Sequence, residues 1–108
     1  MIDIDKIQNE VGVWARKNFG PGSEGAYHSL LGMVEELGEL THGHLKQCQN
    51  IRGELHETEI KDAIGDLVIY LCDYCSQRGY DLEEIITITW AQVKQRDWAK
   101  NKKDGING

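Results

Sequence analysis

The chain has 108 residues, 40% apolar and 28% charged, which is enough for one globular domain and unlike the composition of a disordered segment. Twelve Lys and Arg against eighteen Asp and Glu leave a net charge of −6, so a strongly basic nucleic-acid face is excluded. The longest apolar run, around Leu67–Cys72, falls far short of the roughly 20 residues of a membrane span, and the acidic start MIDIDKIQNE is wrong for a secretory leader. The expectation is a cytoplasmic protein with neither nucleic acid nor membrane as partner.

Hydrophobic spacing predicts four helices and no convincing strand. The first, about residues 4–18, carries Ile4, Ile7, Val11 and Trp14 at intervals of three and four, with Asp3 and Asp5 suited to its start. Phe19-Gly20-Pro21-Gly22 ends it in a loop. The second, about 28–48, has the stripe Leu30, Val34, Leu37, Leu40 (or Thr41), His44 and Cys48. A polar loop of about 49–57 leads to the third, about 58–77, with Ile60, Ala63, Ile64, Leu67, Leu71 and Tyr74 on one face and Gly79 as its stop. Asp81 and Glu84 form a capping box for the fourth, with Tyr80 and Ile85 at the staple positions; it runs to about 99. The fold class expected is an all-α, four-helix bundle-type domain over residues 1–100, followed by a flexible tail, 101–108.

Charge is concentrated in the middle. Residues 35–66 hold eight carboxylates against Lys46, Arg52 and Lys61. At 100° per residue, Glu36 and Glu39 fall about 180–240° from the second helix's apolar stripe, beside Gly32 and Gly43. On the third helix Asp62, Asp66, Asp73 and Glu59 gather about 200–260° from Ile60, and Gly65 interrupts this helix as well. Interior glycines cost roughly 1 kcal/mol each, so these faces are expected to admit a ligand or another backbone. Carboxylates one turn apart repel unless a cation lies between them, and oxygen-only ligands suit Mg²⁺, or Mn²⁺. A plain solvated face is the competing reading.

Glu35-Glu36-Leu37-Gly38-Glu39-Leu40, then Asp62-Ala63-Ile64-Gly65-Asp66-Leu67-Val68-Ile69-Tyr70-Leu71, resemble the MazG-like branch of the all-α nucleoside triphosphate pyrophosphohydrolases. That family carries E-E-x-x-E on one helix and E-x-x-D on the next. The first motif matches in full. The second departs. Aligned on Gly65-Asp66, the family's Glu falls on Ala63; aligned on the literal pattern, the pair is Glu59 and Asp62. The first alignment keeps the apolar context and is preferred. The resemblance then implies Mg²⁺ ligation by Glu36, Glu39, Asp62 and Asp66, with Glu59 in the second register. It also implies cleavage of a nucleoside triphosphate to monophosphate and pyrophosphate, with Glu35 as the base that takes water's proton. Lys94, Arg96, Lys46 and Lys61 are the phosphate-contacting candidates. Tyr70 is a hydrogen-bonding candidate, and Trp14 or Phe19 a surface on which the base stacks. The family fold further implies a homodimer or homotetramer. The alternative is a non-catalytic helical partner-binding or regulatory module that retains the fold, which Ala63 favours.

Cys72-Asp73-Tyr74-Cys75 is a CxxC, with His42-Gly43-His44 elsewhere; within an apolar helical frame it reads as packed thiols before zinc or redox chemistry. Trp90 and Trp98 read as core or subunit contacts.

Overall fold

A computed structural model describes residues 3–21, 26–49, 56–103 and 105–106. They form four α-helices and no strand: α1 (Ile4–Phe19), α2 (Tyr27–Gln49), α3 (Glu57–Arg78) and α4 (Leu82–Val93). The all-α expectation holds. No helix among these residues is long and apolar enough to cross a membrane.

Local chemistry sets most boundaries. Asp3 caps α1, its carboxylate accepting from the Lys6 amide at 2.7 Å, and Asp81 caps α4 through the Glu84 amide at 3.2 Å. α3 closes in a Schellman motif. Gly79 adopts φ 70°, ψ 26°, and the amides of Tyr80 and Gly79 return to the carbonyls of Cys75 (2.8 Å) and Ser76 (3.3 Å). α4 stops at Val93, six residues before the expected end. Lys94, Gln95 and Arg96 donate to Trp90, Gln92 and Val93, tightening the last turn. Asp97 then starts a separate turn, its carboxylate accepting from the Lys100 amide and its carbonyl from the Asn101 amide. Beyond it, Gly105 donates to the Asn101 carbonyl and accepts from the Asp97 amide, so the described part of the tail folds back on itself.

α2 lies along α3 in the most extensive pairing, and α1 packs on α3 and, more lightly, on α4. The buried core cluster is small: Val11, Cys72, Cys75 and Leu82, with Ile7 against it. Gln8 locks the junction. Its amide donates to the Tyr80 carbonyl at 2.6 Å and accepts from the Leu82 amide at 2.8 Å, bridging both sides of Asp81.

On α2 the face that meets its neighbour is not the apolar stripe, and on α1 and α3 only part of the stripe is buried. On α2 the buried residues are Ser29, Glu36 and Gly43, while Leu30, Leu31, Val34, Leu37 and Leu45 stand exposed. On α1 the face toward the core is Gln8, Val11, Gly12 and Ala15; Ile4 and Trp14 lie outside it. The glycine side of α2 is what allows contact with α3. A Cβ at Gly32 would collide with the Tyr70 ring, and one at Gly43 would sit 2.9 Å from Ile60. Gly32 and Gly43 therefore make room for side chains of α3, a closer packing of protein on protein than of protein on ligand. α4 is nearly bare, with Leu82 buried and Ile85, Ile86, Ile88, Trp90 and Val93 exposed.

The chain is accordingly open. Its radius of gyration is 17.5 Å, against about 13 Å for a compact domain of this length. Its accessible surface is 8338 Å², against about 6,100 Å² for a folded monomer of this mass.

Candidate carboxylate centre

Glu35, Glu36 and Glu39 of α2 converge. One carboxylate oxygen from each lies within 4.8 Å of the others, the one such group of three metal-ligating side chains among the described residues. The i, i+1, i+4 spacing produces this directly, because i and i+4 stack one turn apart. Glu36 is the inner member, 7% exposed, and its Oε2 is buried without a hydrogen-bond partner. Burial pushes its carboxyl above the usual range, helped by the neighbouring Glu39 carboxyl and by the negative charges of Asp66 and Glu35. Asp66 on α3 is exposed and lines the same cleft of about 250 Å³ as Glu36, with Trp14, Phe19, Tyr70 and Asp73. Tyr70, half-buried one turn after Asp66, is also shifted upward, by burial first and then by Glu35, Glu36, Asp66 and Glu39. Its hydroxyl keeps its proton at neutral pH and is available as a donor.

The other expected site residues are scattered. Asp62 is exposed and outside the group of three. Glu59 is taken by His56, whose Nδ1 lies 2.9 Å from the Glu59 carboxylate. Ala63, where the family's Glu would fall, is 1% exposed and part of the packing. Glu35, the expected proton acceptor, sits among the converging oxygens. Lys46 is half-buried in the last turn of α2, Lys61 is exposed on α3, and Lys94 and Arg96 are exposed at and beyond the end of α4. Trp14 is half-exposed and meets Phe19 edge to face, ring centroids 5.5 Å apart.

Sequence reasoning missed a polar network beside this cleft. Asp73 accepts from Arg16 Nη2 at 2.8 Å, from Ser29 Oγ at 2.7 Å and from Gln77 Nε2 at 2.9 Å. Asp73 stands on the acidic side of α3, which was the available signal. Ser29 and Arg16 come from other helices and carried none. A second cleft of about 500 Å³ adjoins, sharing Phe19, Tyr70 and Asp73 with the first.

Cys72 and Cys75 are buried in the core cluster, and burial raises both thiols. A redox or zinc-binding thiol needs the opposite shift. His44 sits 3.5 Å from Cys48 on an exposed turn of α2.

No family model, curated protein or solved structure matches the chain.

Proposed function

We propose that this chain is a Mg²⁺-dependent nucleoside triphosphate pyrophosphohydrolase of the MazG-like kind, acting as a homo-oligomer. The observation that carries the reading is the unpartnered Glu36 oxygen, buried within a convergent group of three carboxylates and lining, with Asp66, an open cleft. Leaving such a group buried and charged is costly, and an oxygen-seeking dication offsets the cost. Glu36, Glu39 and Asp66 would hold Mg²⁺ (or Mn²⁺), and Glu35 is the candidate to take the proton from water. The ion would supply charge neutralisation for the polyphosphate and polarise the phosphorus under attack. The Tyr70 hydroxyl donates toward phosphate oxygens. A basic residue for the departing pyrophosphate has to come from Lys46, Lys61, Lys94 or Arg96.

The oligomer rests on area. The surface surplus is roughly 2,200 Å², and the Leu30, Val34, Leu37 stripe and the α4 face leave apolar side chains exposed side by side, as interaction surfaces do. An obligate interface hides surface on this scale.

The test is pyrophosphate release from a panel of NTPs and dNTPs with and without Mg²⁺. Release that requires the metal and is lost in Glu36→Gln, Glu39→Gln and Asp66→Asn supports the enzyme. Glu59→Gln discriminates the two registers of the second motif, because Asp62 belongs to both; full activity in Glu59→Gln and in Asp62→Asn leaves Asp66 as the α3 ligand. Orthophosphate in place of pyrophosphate would mark hydrolysis at a different bond and overturn the pyrophosphohydrolase reading; no turnover favours the non-catalytic helical module, whose supporting observation is the buried Ala63.

A further inference from the structure

The larger cleft has a chemistry of its own. Asp73 lines it and is fully used: Oδ1 by Arg16, Oδ2 by Ser29 and Gln77. Its carboxylate only accepts, so the Gln77 amide must turn its NH₂ toward Asp73 and Ser29 and its carbonyl away. What remains unmet is Arg16 Nε and Nη1, two donors, and Gln77 Oε1, one acceptor, all buried without partners. The Arg16–Asp73 pair is neutral in sum, unlike the Glu35–Glu36–Glu39 end, which is strongly negative. Phe19, Pro21 and Tyr70 supply apolar and aromatic walls.

A metal–polyphosphate belongs at the acidic end. The other end asks for a flat, uncharged group that presents both acceptors and a donor along one edge, which describes a nucleobase. We infer that Arg16 and Gln77, held by Asp73 and Ser29, form the base-selecting subsite of the cleft, with Phe19 and Tyr70 flanking the base and its phosphates directed toward Glu36 and Asp66. This rests on the nucleotide reading above and adds to it the residues that discriminate among bases. Arg16 bridges α1 and α3, so the selection is built into the helix packing.

The experiment compares wild type, Arg16→Met and Gln77→Leu. The second variant leaves the Arg16–Asp73 pair intact and guards against a folding defect in the first. kcat and KM are measured for the four dNTPs. Inorganic tripolyphosphate, which has no base, serves as an inhibitor, and binding of the four deoxynucleoside monophosphates is titrated calorimetrically. The expected result is unequal kcat/KM among bases in wild type, with KM for the favoured dNTP raised about tenfold in each variant by loss of a buried hydrogen bond. Selectivity should flatten while inhibition by tripolyphosphate and the Mg²⁺-induced thermal shift stay unchanged. Equal use of all bases by wild type, or unaltered selectivity in both variants, overturns the inference. So does tripolyphosphate inhibition falling in step with KM, which would make Arg16 a phosphate contact. If wild type hydrolyses nothing, the pyrophosphohydrolase reading fails on its own. The subsite then stands only if monophosphate binding is measurable and weakened in both variants, and falls otherwise.

Discussion

The α2–α3 seam and the outer faces of α2 and α4 invert the usual division of labour. The seam is made of glycines, a serine and a buried glutamate; the outer faces carry leucines, isoleucines and a tryptophan left bare. Side chains that would normally drive collapse stay exposed, while the paired helices are held by close approach at Gly32 and Gly43 and by polar bonds around Asp73. The contrast teaches that amphipathicity gives the existence of a buried face but not its address. In this chain the strongest apolar stripe of α2 stays outside the fold and the weaker face packs inside it.

The largest effect expected comes from striking the outer face. Val34 and Leu37 are 69% and 54% exposed in the single chain. Val34→Asp with Leu37→Asp should split the oligomer on light scattering and lower stability by several kcal/mol, because charges would enter a dry interface. A solitary chain would tolerate both changes within about 0.5 kcal/mol.

The seam answers to smaller changes. Gly32→Ala places a methyl against the Tyr70 ring; it should cost about 1–3 kcal/mol in urea unfolding despite alanine's better helix propensity. At Gly38 and Gly65 an added Cβ would meet nothing within 4 Å. Gly38→Ala and Gly65→Ala should each stabilise by about 1 kcal/mol. Destabilisation there instead would reveal a second copy's backbone packed against these positions.

Glu36 links the two regions of chemistry and packing through pH. Its folded carboxyl binds its proton more tightly than the unfolded chain's ordinary 4.5. In the window between the ordinary and raised values the native state holds more protons, so stability from this group is present at low pH and lost as pH rises through the raised value. Metal-free Glu36→Gln should therefore melt higher than wild type at pH 7, converge with it near pH 4.5, the ordinary value, and show no Mg²⁺-induced rise in midpoint.

The mildest test is a thiol count. Cys48 is exposed while Cys72 and Cys75 are buried with raised pKa. A thiol reagent at mildly alkaline pH should modify one cysteine promptly and the other two only as the protein unfolds.

Much of this was legible beforehand. Helix starts were, because Asp3 and Asp81 announce their own hydrogen bonds, and so was the stop at Gly79. The convergence of Glu35, Glu36 and Glu39 follows from their numbering on one helix. The end of α4 was not, since Asp97 begins a competing turn inside a segment whose apolar period still reads as helix. Nor was the Arg16–Ser29–Asp73–Gln77 network, which joins α1, α2 and α3 across separations of 44 and 57 residues. Nor was it legible which face of α2 would pack inward, because close approach at Gly32 and Gly43 and the bonds to Asp73 outweigh the apolar period.

The Gln8 bridge carries a consequence for how the chain is made. Its two hydrogen bonds reach across 72 and 74 positions to the backbone at Tyr80 and Leu82. During synthesis the first helix leaves the ribosome long before its counterparts exist, so this bridge must wait until the chain through Leu82 has emerged. Nascent fragments shorter than that should be cut readily by protease within α1, and resistance should arrive in one step once Leu82 clears the exit tunnel.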